Sequence, residues 1–125
     1  MSDRVHPSHG LAPCPERPNC VSTEATDARH RMRPFPFAGE PALAVARLAA
    51  IVEAMPGGVV KRRDERSLHA EFTTRLMRYV DDVDLVVDAD AGVVRFRSAS
   101  RLGHWDLGTN RRRMKKIRRE FEAAG

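Results

Sequence analysis

Four short, strand-like runs constrain the fold of this chain more than any other feature. In the second run, Leu68, Ala70 and Phe72 occupy alternate positions, with polar residues between them. A period of two is typical of strands that bury one face. The connections between the runs are only a few residues long, which requires antiparallel neighbours. The sequence therefore predicts a four-stranded antiparallel meander. Its strands are expected at 58–63, 67–76, 80–88 and 93–99.

Two further segments repeat apolar residues at steps of three and four, the spacing of one helical face. The first helix is expected from Pro41 to about residue 55, because proline suits a first helical turn and Pro56 followed by two glycines ends the element. The second helix is expected from about 107 to 122. Its predicted buried face consists of Leu107, Asn110, Met114, Ile117 and Phe121. We therefore predict an α+β fold in which both helices pack on one face of the meander.

Length and composition indicate one ordinary domain. Of 125 residues, 42% are hydrophobic and 31% charged, values typical of a globular protein rather than a disordered chain. We expect a flexible N-terminus at 1–10 and a single domain at 11–125, with the proline-rich residues up to 38 forming an extended arm. No apolar run approaches the roughly 20 residues needed to span a membrane. The N-terminus also lacks the apolar core of a signal peptide, so a cytoplasmic protein is predicted.

The arm contains two cysteines, Cys14 and Cys20, separated by prolines that favour a tight turn. Three interpretations are open: a redox pair, a zinc site completed by His6 and His9, or a structural loop whose thiols are either reduced or joined. The spacing is wider than that of the usual paired zinc ligands, and nothing nearby is placed to lower a thiol pKa. We therefore expect the structural loop, with Cα atoms within roughly 7 Å. We expect no metal and no other cofactor.

Asn110 interrupts the apolar face of the second helix. A buried amide must find hydrogen-bond partners, and the nearest candidates are backbone groups between Ser98 and Asp106. The sequence thus predicts a loop that is held by the helix that follows it. The polar network expected to hold this loop consists of Asp81, Asp82, Arg97, Asp106 and Asn110.

The same loop has the composition of an anion site. Hydroxyl groups, guanidinium groups and the free N–H groups of a helix start together bind phosphate or carboxylate. The candidate residues are Ser98, Ser100, Arg101 and Arg111. Alternatively, Asp106 occupies those N–H groups as a helix cap. The function favoured by the sequence is therefore a non-catalytic binding module for a small anionic ligand or a protein partner.

Two other classes of function remain as alternatives. An enzyme would use Asp81 or Asp82 as a base beside Arg97 or Arg101, although no catalytic residue is assigned, because no nucleophile arrangement is recognisable. Nucleic-acid binding would use the outer face of the second helix. That face carries Arg112, Lys115, Lys116 and Arg119. The net charge of +5 is local, since seven basic residues fall within 111–119, and interleaved aromatic residues are missing from this segment.

Three segments of the chain together resemble a known family. In order along the chain, and at the separations seen here, these segments are CPERPNCVS, RLMRYVDDVDL and RSASRLGHWDLGTNRRR. The family that they resemble is a bacterial and plastid family of unknown function, domain family 1499. The resemblance extends from about residue 11 to residue 119. It implies a small domain shared across many bacteria, and it implies no catalytic residue, cofactor or substrate. Some relatives are directed to the cell envelope or an organelle, so the oxidation state of the cysteine pair stays open.

Overall fold

The computed structural model describes residues 9–124, which form two helices and a six-stranded antiparallel sheet. The elements are β1 Cys20–Ser22, β2 Phe35–Pro36, α1 Pro41–Ala54, β3 Gly58–Arg63, β4 Ser67–Thr73, β5 Val80–Asp88, β6 Val93–Ser100 and α2 Thr109–Ala124. The α+β class is confirmed. Except for its last two residues, the predicted flexible segment at 1–10 lies outside the described part of the chain. Neither described helix combines the length and the apolar character needed to cross a bilayer.

The sheet has the order β1-β6-β5-β4-β3, and β2 also pairs with β6. Strands β3 to β6 form the predicted antiparallel meander. The prediction of four strands was wrong, because the N-terminal arm adds β1 and β2 along the free edge of β6. These strands have three and two residues, which is too short to display an alternating pattern. Their pairing depends on the unpaired backbone groups that β6 offers.

Both helices cover the same face of the sheet, and one hydrophobic core lies between the two layers. Side chains from alternate positions of the strands meet apolar residues of α1 and α2. The largest fully buried aromatic residues are Phe35, Phe96 and Phe121, whose rings are in mutual contact through Phe35. The opposite face of the sheet, here called the outer face, carries the polar positions of the same strands.

At two element ends, the difference from the predicted position exposes a leucine. Strand β4 ends at Thr73, because Thr74 and Tyr79 close a loop through a 2.7 Å backbone hydrogen bond. Leu76, expected to continue the strand, is 88% exposed. Helix α2 begins at Thr109, so Leu107 lies before it with a φ of 55° and is 86% exposed instead of buried.

Candidate functional site

A buried polar network lies beneath the first turn of α2. The side chain of Asn110 is fully buried, and its oxygen accepts hydrogen bonds from Ser98 Oγ at 2.6 Å and Arg113 Nη1 at 2.8 Å. Its amide nitrogen donates to Ser100 Oγ at 3.0 Å and to Asp106 Oδ2 at 2.8 Å. The amide group therefore has partners on both of its polar atoms, as a buried amide requires.

Arg113 connects this network to β5, and sequence reasoning missed it. Its guanidinium donates to Asp81 Oδ2 at 2.7 Å and lies over the ring of Phe72, 4.7 Å from the centroid. Asp81 and Arg113 are only 2% and 9% exposed. A buried charge is tolerated when it is paired and hydrogen-bonded, as here. The available signal was the spacing of three from Asn110, which places Arg113 on the same helical face.

Of the five residues in the predicted polar network, the structure joins three and separates two. Asp106 and Asn110 bond directly, and Asp81 joins them through the intervening guanidinium. Asp82 and Arg97 lie on the outer face of the sheet. The division follows from the pleat of the strands, since successive side chains point to opposite faces.

The N-terminal arm also holds the loop before α2. Asn19 Nδ2 donates to the carbonyl oxygens of Leu102 at 3.3 Å and Gly103 at 2.7 Å. Asn110 donates to the carbonyl oxygen of Asn19 at 3.2 Å. The expectation that Asn110 bonds the backbone of residues 98–106 was wrong, because Asn19 holds that backbone and Asn110 bonds mostly side chains.

Asn19 is positioned by a disulfide between Cys14 and Cys20. Their Cα atoms are 5.7 Å apart, which confirms the predicted close approach. Sulfurs joined to each other cannot act as the thiolates of a zinc site. Of the other residues proposed for that site, His9 hydrogen-bonds Glu24 at 3.2 Å, and His6 lies outside the described residues.

The residues of the predicted anion site are bonded within the protein. Ser98 and Ser100 both contact Asn110. Arg111 donates to two carbonyl oxygens of the N-terminal arm, at 2.8 and 3.2 Å. Arg101 lies on the outer face, away from the two serines, and bonds carboxylates there. The structure therefore does not bring the four side chains to a common point.

The start of α2 has an internal acceptor for its N–H groups. Asp106 accepts hydrogen bonds from the backbone N–H of Gly108 at 2.8 Å and from that of Asn110 at 3.1 Å. This is the capping arrangement considered as the alternative to an anion site. An external anion would have to compete with this carboxylate.

An ionic cluster lies on the outer face. Glu71 and Asp82 are opposite each other on β4 and β5, and the guanidinium of Arg101 donates to both, at 2.9 and 2.8 Å. The hydrogen bond from Arg101 holds the pKa of Asp82 below its ordinary value of 3.8. The ligand atoms of His69, Glu71 and Asp82 lie within 4.8 Å of one another. Because Arg101 already hydrogen-bonds both carboxylates, a metal ion would have to displace it.

The residues of the catalytic alternative belong to two faces. Asp81 points beneath α2, toward Arg113. Asp82 points outward, toward Arg101. Arg97 donates to a carbonyl oxygen of the N-terminal arm at 3.3 Å. A general base at neutral pH needs a pKa raised toward that pH, whereas the pKa of Asp82 is lowered.

Six large apolar or aromatic side chains are exposed together at one end of the sheet, and we call them the apolar tip. They are Leu76, Met77, Tyr79, Leu102, Trp105 and Leu107. They come from the β4–β5 loop and from the loop before α2, and they line a cleft of about 210 Å³. Sequence reasoning missed the tip because Leu76 continued a strand pattern and Leu107 a helical one. Only the folded backbone shows that both leave their elements.

A wider groove of about 900 Å³ adjoins the apolar tip, and the two surfaces meet at Thr74 and Thr109. It lies between the end of α1, the start of α2 and the edge of β4. We call it the basic groove. Its exposed cationic residues are Arg75, Arg78, Arg112 and Lys116. Arg112 donates to the carbonyl oxygen of Leu107 at 2.6 Å, which connects the groove to the tip.

Comparison with known proteins identifies the family and adds no activity. No curated protein and no solved structure matches the chain. One family model matches residues 10–121, which is nearly the whole chain and confirms the resemblance found in its motifs. The chain therefore belongs to the family described as Protein of unknown function (DUF1499).

Proposed function

We propose that this domain is a non-catalytic binding module and that the apolar tip is its contact surface. The observation that carries the proposal is the grouping of exposed residues. Within residues 9–124, eight large hydrophobic side chains are exposed, and six of them belong to the tip. Single exposed hydrophobic residues are normal, whereas a contiguous group of them marks a contact surface.

Backbone conformation supports the same interpretation. Leu107 and Arg78 have φ values of 55° and 58°, one in each loop that forms the tip. A non-glycine residue in this region costs on the order of 1–3 kcal/mol, and such strain concentrates at functional sites. In Leu107 the strained conformation accompanies a side chain that is 86% exposed. Neither feature contributes to the core.

The hydrogen-bonded base of the tip also suits a contact surface. The loop before α2 is held by Asn19, by the cap of Asp106 and by the buried amide of Asn110. A surface that is ordered before binding loses less conformational entropy when a partner arrives. We propose that the buried polar network serves this purpose instead of taking part in a reaction.

The anion hypothesis for the 97–111 loop remains a separate proposal. It would require Ser98, Ser100, Arg101 and Arg111 to exchange their present partners for a ligand. A stabilising effect of phosphate over chloride that disappears in Arg101→Ala would favour it. Equal stability of the parent in both salts would rule against it.

The enzyme and nucleic-acid alternatives find less support in the contacts. The low pKa of Asp82 opposes its use as a base. On α2, Lys115, Lys116 and Arg119 are exposed, but Arg112 holds the backbone of the neighbouring loop. Steeply salt-dependent binding to DNA or RNA would be needed to favour the second alternative.

The cytoplasmic location predicted from the N-terminus remains a prediction. Disulfides persist in oxidising compartments and are reduced in most cytosols. The bond between Cys14 and Cys20 therefore favours an oxidising compartment.

Site-specific photo-crosslinking in cells tests the contact surface. Trp105, 74% exposed at the tip, is replaced by a photoreactive benzoylphenylalanine in the full chain, and Arg119, exposed on α2, is replaced in the control. We expect position 105 to form adducts well above the level of position 119. Equal adduct levels at the two positions would overturn the proposal. The mass of the adduct distinguishes a lipid from a protein.

A further inference from the structure

We infer that the partner of the apolar tip is the surface of an anionic lipid bilayer. This inference rests on the proposed function and specifies its partner. Three observations support it. Cationic residues lie beside the tip, cationic and apolar residues alternate within one loop, and the cleft has the shape of an open surface.

The charge around the tip is predominantly positive. Arg75, Arg78 and Lys116 are in the basic groove, and none of them makes an ion pair within the described residues. The nearby carboxylates have other partners: Glu53 accepts the backbone N–H of Val60 at 2.7 Å, and the carboxylate before α2 caps the helix. Among the described residues that line the groove, four exposed cations outnumber the one carboxylate, that of Glu53, and this excess complements phosphate groups.

In the part of the chain that the structure describes, the turns at the opposite end of the sheet lack this excess of positive charge. The β3–β4 turn, residues 61–66, carries four basic and two acidic residues, and the β5–β6 turn, residues 88–92, carries two more acidic residues. The two turns lie together because β4 and β5 are antiparallel. The two turns together hold four basic and four acidic residues, and the described residues at this end include no apolar group comparable to the tip. Within residues 9–124, an excess of positive charge therefore coincides with exposed apolar surface at the tip and not at the opposite end.

Within the β4–β5 loop, cationic and apolar residues alternate so closely that they must meet the same surface. Arg75 precedes Leu76 and Met77, and Arg78 precedes Tyr79. A bilayer interface satisfies both kinds of side chain at once, since phosphate groups lie above and acyl chains lie below. Tryptophan and tyrosine are enriched at this depth because their rings are amphipathic. Basic residues beside an apolar face are typical of proteins that lie on anionic membranes.

The shape of the tip favours an extended surface over an enclosed ligand. Pockets that hold small molecules have volumes of about 300–1,000 Å³ and bury most of the ligand. The cleft in the tip measures about 210 Å³, and the leucines at its rim are 86% and 88% exposed. The side chains thus point outward from the cleft, as insertion into an interface requires.

Vesicle binding by the full, oxidised chain tests the inference. Trp105 is the only tryptophan, so its emission reports on the tip alone. We expect a blue shift and cosedimentation with vesicles of phosphatidylcholine mixed with phosphatidylglycerol, and neither with phosphatidylcholine alone. Equal binding to both kinds of vesicle would overturn the anionic preference.

Two variants and a matched control separate the contributions of the apolar and the cationic residues to vesicle binding. Met77→Ser with Leu107→Ser should abolish the blue shift, and both residues are exposed, so the fold is spared. Arg75→Gln, Arg78→Gln and Lys116→Gln together should weaken partitioning by about tenfold to a hundredfold, since each basic residue near an anionic surface adds roughly fivefold. The control removes the same charge from the other end of the sheet. It consists of Lys61→Gln, Arg62→Gln and Arg63→Gln, and it should bind as the parent does.

The outcomes distinguish this inference from the proposed function. A control that loses as much affinity as the groove variant would show general electrostatic attraction and overturn the inference. If no vesicle binds but position 105 cross-links one protein, the membrane inference fails and the contact surface stands. If vesicles do not bind and position 105 gives no adduct above its control, both fail.

Discussion

At the scale of single residues, Asn110 lies in a buried environment that must supply partners for both polar atoms of its amide. It is fully buried, and its amide joins residues from β6, α2 and the intervening loop. Buried polar groups contribute modestly when every partner is present and are costly when one partner is lost. The stability of this region should therefore respond asymmetrically to substitution.

Asn110→Ala should lower the free energy of unfolding by about 1–3 kcal/mol, because it leaves buried polar groups without partners. Asn110→Leu should not restore the loss, since Ser98 and Arg113 would still lose the amide oxygen that accepts from both, despite the added apolar volume. Urea unfolding measures both variants. Lys115→Ala, exposed on the same helix, should stay within about 0.5 kcal/mol of the parent. An Asn110→Leu protein as stable as the parent would contradict this role.

Asp82 should titrate below 3.8, because the Arg101 hydrogen bond lowers its pKa. A depressed folded-state pKa stabilises the fold above the unfolded pKa, and this contribution disappears as the pH falls through the folded value. Arg101→Gln should raise the pKa of Asp82 and flatten the stability profile in this acidic range. Carboxyl chemical shifts in an NMR titration measure the pKa, with Arg63→Gln as the control. An unchanged titration in Arg101→Gln would refute the pairing.

At the scale of elements, the fold depends on a close approach between the backbone of the α1–β3 connection and its neighbours on α1 and β4. The turn between α1 and β3 brings the end of the helix against β4. A Cβ atom on Gly58 would lie 2.3 Å from the carbonyl oxygen of Val52 and 2.8 Å from the ring of Phe72. Only glycine fits between these groups without a backbone shift.

Gly58→Ala should therefore cost about 1–3 kcal/mol of stability, the usual range for overpacking a close contact. Thermal or urea unfolding measures the loss. Val59→Ala is the adjacent control, because Val59 is half exposed and its truncation should cost less. Equal losses in the two variants would indicate that the close approach is not limiting.

The disulfide acts at the same scale, since it closes the part of the arm that carries Asn19. Closing a loop this short restricts the unfolded chain by an amount equivalent to about 2 kcal/mol. Reductant should therefore destabilise the parent by roughly that amount and leave the Cys14→Ser variant unaffected. Urea unfolding with and without reductant measures this. An unchanged parent whose thiols are both alkylated would contradict the prediction.

At the scale of the whole molecule, the two faces and two ends of the sheet have different roles. One face is covered by both helices, and the outer face carries ion pairs. One end carries the apolar tip, and the other carries turns of balanced charge. Strand β5 lies at the centre of this arrangement, with neighbours on both edges and the core against one face.

The central position of β5 should be visible in the rates at which its backbone amides exchange hydrogen. Backbone amides of β5, including those of Val83 and Leu85, should exchange most slowly, because they open only when the domain unfolds. Amides of β3, an edge strand, should exchange faster. Hydrogen exchange followed by mass spectrometry resolves these strands. Protection of β3 equal to that of β5 would contradict this description of the fold.

The sequence by itself determined the α+β class, the meander from β3 to β6, the position of α1 and most of α2. Periods of two and of three to four are local properties, so a pattern in five to ten residues is sufficient to reveal them. The same reasoning placed Asn110 in the core and brought Cys14 close to Cys20. Both conclusions needed only neighbours in the chain.

Only the tertiary structure decided the features that bear on function. Strands β1 and β2 are too short to show a period, and they exist because β6 offers a free edge. Arg113 is buried because Asp81, distant in sequence, neutralises it. Leu76 and Leu107 continue local patterns but lie outside their elements, because the backbone turns where Thr74 bonds Tyr79 and where Asp106 caps α2. These features are determined by contacts between segments that are distant in sequence, and a local sequence pattern does not indicate such contacts.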